Sequence, residues 1–139
     1  MHYGLDVANL GAAADPRRVV ELARTAEAAG WEGLFLWDQW GFAWGIPSGD
    51  PWVTLAAVAQ HTHHIALGTW VTNPLSRHPV VTASAAATLD DLAPGRVYLG
   101  IGTGDTGALH LGLQPARLAQ LEDYVLAVRR LLEDGRAHY

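Results

Sequence analysis

Short runs that are apolar on both faces alternate along this chain with longer segments whose apolar positions recur every three or four residues. His2–Ala8, Gly33–Trp37 (GLFLW), the opening of Ile65–Pro79 (IALGTWVTNPLSRHP) and Arg96–Gly102 (RVYLGIG) read as strands. Continuous apolar character is what parallel strands covered by helices look like. Asp15-Pro16 and Asp50-Pro51 each set an N-cap before a first-turn proline. The first pair opens a helix with Val19, Leu22, Ala23 and Ala26 inward and Gly30 as its stop. The second opens a helix on Leu55, Val58 and Ala59 that ends near His64. An alanine-rich third helix runs from Pro79 to Leu92, and Pro94 and Gly95 break it. Pro115 is read as opening the last helix, with Leu118, Leu121, Val125, Val128 and Leu132 opposite Arg117, Arg129, Arg130 and Glu133, and Gly135 as its stop.

Strands starting near residues 3, 33, 65 and 96 recur at the size of a βα unit. Right-handed connections put all the helices on one side of a curling parallel sheet. The predicted fold is α/β, a (β/α)4 half of a TIM barrel with its helices on the outer side, as one domain over residues 1–139. A full barrel typically needs ~250 residues. A half barrel has two open parallel edges, at its first and fourth strands, and an uncovered inner face. It is therefore expected to form a homo-oligomer or to meet a partner chain that completes the barrel.

Composition narrows the partners. A net charge of −5 with no long basic run gives no electrostatic support for nucleic-acid or anionic-membrane binding. No apolar run approaches the ~20 residues that cross a bilayer. The N-terminus MHYGLDVANL lacks the basic-then-apolar pattern of a signal peptide, and cysteine is absent. A cytoplasmic protein acting on a small molecule is the expectation.

In a βα barrel, chemistry sits at the C-terminal ends of the strands. Here those ends are Asn9 or its neighbours, Asp38 and Gln39, Trp70 to Asn73, and Gly102 to Asp105. Gly68 leaves room for another group to approach the third strand, and Pro74 ends that strand. Asp38 either accepts a hydrogen bond from a bound ring, orients a base, or caps local backbone amides. Arg77 and His78 stand at a helix start, where they bind an anionic phosphate or act as a surface charge and a cap. Gly102-Thr-Gly-Asp-Thr-Gly107 matches G-x-G-x-x-G, but the helix is expected to start too late for a dinucleotide fingerprint. A glycine-lined wall against a flat ring fits better. His61, His63 and His64 precede the third strand, on the face opposite the strand ends, so no metal site is assigned to them. Trp37, Trp40, Trp44 and Trp52 cluster around the second βα loop, as a lid or as shielding for the core.

Four segments carry a resemblance: DPRRVVELARTAEAAGWEGLFLWDQ, DPWVTLAAVAQHT, LGTWVTNPLSRHP and TLDDLAPGRVYLGIGTGD. Their order and spacing resemble the N-terminal half of luciferase-like flavin oxidoreductases, the bacterial luciferase superfamily. The resemblance implies an oxidoreductase of monooxygenase or dehydrogenase/reductase type, or a truncated relative of one, using FMN or coenzyme F420 on a small organic substrate. It also implies a non-proline cis peptide at Trp70–Val71, whereas a plain reading makes this bond trans. Cofactor contacts fall on Trp70, Val71, Thr72, Asn73, Gly102, Thr103, Gly104, Arg77 and His78, and catalytic roles on Asp38 and Gln39. The family usually has Asp-His where this chain has Asp38-Gln39, and an amide cannot shuttle protons by titration. That departure favours the alternative of a non-catalytic half-barrel subunit or interaction protein.

Overall fold

In the computed structural model, residues 1–39 and 45–139 are described; Trp40 and Trp44 fall outside them. Gly4–Val7 (β1), Gly33–Leu36 (β2), Ala66–Thr72 (β3) and Val97–Ile101 (β4) pair in parallel, in chain order. Pro16–Ala28 (α1), Pro51–His61 (α2), Pro79–Leu92 (α3) and Leu118–Asp134 (α5) are the main helices, with the single turn Thr106–His110 (α4) before the last. The architecture is a (β/α)4 half barrel.

The main core lies between sheet and helices. Leu34, Leu36, Ile65 and Leu67 meet Val19 and Ala23 of α1, Leu55 and Val58 of α2, and Ala86 and Leu89 of α3. Strand alternation sends the intervening residues to the opposite, inner face. There Tyr98 and Trp70 remain 60% and 59% exposed, and the Phe35 ring lies 6.0 Å from that of Trp70. Among the described residues nothing covers this face.

Asp15 and Asp50 cap α1 and α2 as expected, Asp50 Oδ1 accepting from Trp52 N and Val53 N. α5 departs from expectation. Its first residue is Leu118, because Ala116 N donates to Thr103 O at 2.8 Å and pins the preceding segment to the end of β4. The helix begins only after Arg117, whose N–H donates to Gln120 Oε1 at 3.0 Å. Its buried face is Tyr124, Ala127 and Val128; Leu118 and Leu132 point outward. Leu22 of α1 is likewise exposed, and Val20 is buried in its place. A helical turn does start inside the glycine motif, at Thr106, but it ends after five residues.

Two ties fasten the end opposite the candidate site. Arg96 donates to Ala59 O, Ile65 O and Thr62 Oγ1, closing the C-terminus of α2. Glu27 accepts the backbone N–H groups of His63, His64 and Ile65. Burial raises this carboxyl's pKa, but the three N–H groups and the nearby His64 outweigh it and hold it below its ordinary value of 4.5. A depressed folded pKa means stability that is present above pH 4.5 and is lost as pH falls through the folded value. Glu27→Gln is expected to lower stability at pH 7 by roughly 1 kcal/mol after solvent screening. The gap from the parent should close on acidification, and urea denaturation at pH 7 and pH 3.5 measures both. An unchanging gap would show that the carboxylate charge is not what holds this tie.

Among the described residues no helix is long and apolar enough to cross a membrane.

Candidate functional site

The C-terminal ends of β2, β3 and β4 converge on an open cleft of about 350 Å³. Trp37, Asp38, Gln39, Trp70, Val71, Asn73 and residues 102–107 line it. The Trp70–Val71 peptide bond is cis and lies where the β3–β4 register shifts, between Thr69 and Thr72. One wall is bare backbone. A Cβ on Gly102 would lie 2.7 Å from Val71 Cγ2, and one on Gly104, at φ +77, would lie 2.9 Å from Asn73 Cγ. Asn73 turns the chain toward α3 by accepting from Leu75 N and Ser76 N, both at 3.0 Å.

Asp38 is the chemical centre. Its side chain is fully buried, and three donors converge on Oδ2: Thr72 Oγ1 at 2.7 Å, Arg77 Nε at 2.8 Å and Trp52 Nε1 at 3.2 Å. Oδ1 is also buried and has no hydrogen-bond partner among the described residues. Arg77 continues to Asp50, where Nη2 donates to Oδ2 at 2.7 Å, and its guanidinium lies 5.8 Å from the Trp52 ring centre. Burial alone would lower the Arg77 pKa. Asp38 and Asp50 together reverse this and hold it above its ordinary value, so the group is a permanent cation.

The structure thus brings Asp38, Gln39, Trp70, Val71, Asn73, Gly102, Thr103 and Gly104 to one cleft. It places three other candidates elsewhere. Thr72 and Arg77 stand behind Asp38, and His78 accepts from Val80 N as the N-cap of α3. The buried Tyr124 bonds Thr82 of α3, and its ring and that of His78 both meet Tyr139. Asn9 does not line the cleft; it bonds Gly49 and so braces the loop before α2. Trp37, Asp105, Thr106 and Gly107 complete the lining. The link of Trp52 to Asp38, and of Asp50 to Asp38 through Arg77, is a feature that sequence reading missed. The Asp-Pro-Trp run signals a helix start, and nothing in it says what the second carboxylate oxygen will face.

A second cleft, of about 390 Å³, opens on the inner face at the strand starts, lined by His2, Tyr3, Gly4, Glu32, Gly33, Phe35, Ala66 and Tyr98. Its side-chain contacts on Glu32, His2 Nδ1 with Oε1 and Tyr3 N donating to Oε2, both at 2.8 Å, are exposed. It has no counterpart to the unpaired oxygen of Asp38. His61 Nδ1 bonds Ala57 O, also at the strand-start end, and among the described residues no cluster of His, Asp or Glu is arranged for a metal ion.

The luciferase-like monooxygenase family model matches residues 3–139. The chain belongs to that family. This luciferase-like chain is 38% identical over 134 residues to the F420-dependent glucose-6-phosphate dehydrogenase of Nakamurella multipartita, covering 89% of itself and 39% of the relative. It is 42% identical over 138 residues to the enzyme of the same name from Mycolicibacterium smegmatis, covering 89% and 40%. The solved coenzyme F420-dependent tetrahydromethanopterin reductase of Methanopyrus kandleri superposes with a TM-score of 0.84 at 26% identity, covering 99% of this chain and 42% of that one. The chain therefore spans about 40% of the length of the curated relatives it matches.

Proposed function

We propose that residues 1–139 form one luciferase-like domain that builds one side of a cofactor site in a cytoplasmic oxidoreductase. The cofactor is coenzyme F420 in the first instance, with FMN as the alternative. Asp38, which lines a cleft shared with Gly102 and Gly104 and whose buried Oδ1 has no partner among the described residues, supports this reading most directly. A buried carboxylate oxygen without a donor is costly, and a ligand N–H or O–H would satisfy it. At Gly102 and Gly104 a side chain would run into Val71 and Asn73, so main chain is what this wall offers to a flat ring.

Bound there, F420 or FMN supplies a ring that exchanges a hydride with a small organic substrate. The chain's own residues do the rest. Asp38 accepts a hydrogen bond through Oδ1. Gln39 orients a carbonyl or hydroxyl but cannot take up a proton. Asp105 is exposed, lines the cleft and makes no side-chain cap to α4, so it is the carboxylate placed to receive a substrate proton. Trp70 and Val71, with Asn73 and Thr103, present the contact surface. Arg77 and His78, read from their place at a helix start as a phosphate site or as a surface charge and a cap, are engaged within the fold. The phosphate end of a cofactor then falls to surfaces beyond this half barrel, and the inner face and edge strands are covered by a second copy or a partner chain.

Titration of the complete protein with F420 and with FMN, followed by F420 reduction assays on sugar phosphates and secondary alcohols, tests the proposal. Binding with turnover is the expected result. Failure to bind either cofactor overturns it. That outcome would favour the second reading, a non-catalytic half barrel, for which Gln39 and the open inner face already speak.

A further inference from the structure

We infer that Arg77 is a positioning residue, fixing Asp38 so that Oδ1 stays available to a ligand, and that it contacts no ligand itself. This inference rests on the reading of the cleft as a cofactor site.

Three observations carry it. Arg77 does not line the cleft, and its guanidinium is divided between two carboxylates, Nε to Asp38 and Nη2 to Asp50. The donors on Asp38 are unevenly shared: all three fall on Oδ2, and none on Oδ1. Arg77 is also the one cation paired with Asp38 among the described residues, and it lies over Trp52, whose own N–H donates to the same oxygen.

The crowding is informative. Two neutral donors, Thr72 and Trp52, would be free to share the two oxygens between them. A planar, permanently charged fork anchored at Asp50 removes that freedom. It gathers the donors on Oδ2 and leaves Oδ1 as the carboxylate oxygen of Asp38 without a donor among the described residues. Without the fork, the carboxylate can turn until both oxygens are satisfied internally, and the cleft loses its acceptor. Lysine is no substitute, because a single ammonium group cannot span Asp38 and Asp50 in one plane.

A double-mutant cycle on the complete protein tests this, with F420 and FMN dissociation constants as the readout and thermal unfolding midpoints recorded beside them. Arg77→Met keeps the apolar stem over Trp52. It is expected to weaken binding about tenfold, the scale of one charge-assisted hydrogen bond. Asp38→Asn should weaken binding at least as much, and the double variant no more than Asp38→Asn alone. Arg77→Lys should behave as Arg77→Met does. An equal penalty for Arg77→Met in the parent and in the Asp38→Asn background would overturn the inference, since Arg77 would then act on the ligand directly or through stability. Should Arg77→Met fail to fold, Asp50→Asn releases the anchor while keeping the Arg77–Asp38 pair. Its smaller, several-fold loss must vanish in the Asp38→Asn background, and a persistent loss overturns the inference equally. A parent protein that binds neither cofactor overturns the functional reading and this inference together. Binding by the parent with an additive cycle overturns this inference alone.

Discussion

Replacing Gly68 with alanine is expected to be the most damaging small substitution in the chain. Gly68 pairs with Tyr98 across β3 and β4, and an added Cβ would stand 1.7 Å from the Tyr98 carbonyl oxygen and 2.7 Å from its carbon. A flexible side chain could turn aside, but a backbone carbonyl in a ladder cannot. Relief requires the two strands to separate at this pair. Overpacking in a well-packed site costs about 1–3 kcal/mol and occasionally more. With backbone as the obstacle, Gly68→Ala should lose at least ~3 kcal/mol, much of the margin of a typical domain. Gly95→Ala is the natural comparison: its φ of +72 makes alanine awkward, but nothing lies within 4 Å of the new methyl. That variant should lose about 1 kcal/mol, from backbone conformation alone. Equal losses in urea denaturation would show that close approach of β4 is not what Gly68 provides.

The second large effect is expected at Asp38. Asp38→Ala removes the acceptor for three donors at once, two of them the buried groups of Thr72 and Trp52. Breaking a buried ion pair from one side typically costs about 3–5 kcal/mol. Arg77 keeps Asp50, so a value near 3 kcal/mol is expected. Asp38→Asn keeps the shape and one acceptor oxygen, and should retain about half of that stability while still losing ligand affinity. Denaturation and cofactor titration of both variants separate the two roles. Parallel falls in both quantities would mean that Asp38 serves the fold alone.

How much of this was legible in the sequence differs from element to element. The four strands and their order were readable because each is a short apolar run at a regular interval. α1 and α3 were readable because a capping residue followed by proline marks where each begins. Gly68 stood out as a missing side chain in an otherwise continuous strand. The start of α5 was not legible, because the choice between Pro115 and Leu118 is made by a hydrogen bond from Ala116 to Thr103, on another element. The same holds at the site. Asp38 could be placed at a strand end, but its links to Arg77, 39 residues away, and to Thr72, 34 residues away, exist only once the sheet has formed. Trp52 read as part of a lid or as shielding for the core; it lies buried in the first turn of α2 as a donor to Asp38. The strand ends supplied the neighbourhood of the site, and packing decided which of its residues face the cleft.

The bare wall at Gly102 and Gly104 has a thermodynamic consequence. Side chains that line a binding surface lose rotational freedom when a ligand arrives, at roughly 0.5–1.5 kcal/mol for each long one. A wall of main chain has no such freedom to lose. Its shape is set when β4 forms, and folding has already borne the ordering cost. At Gly102 and Gly104 the ligand meets a surface that is as ordered before binding as after it. Adaptation to different substrates is left to the side chains around them, Trp70, Gln39, Thr103 and Asp105 among them.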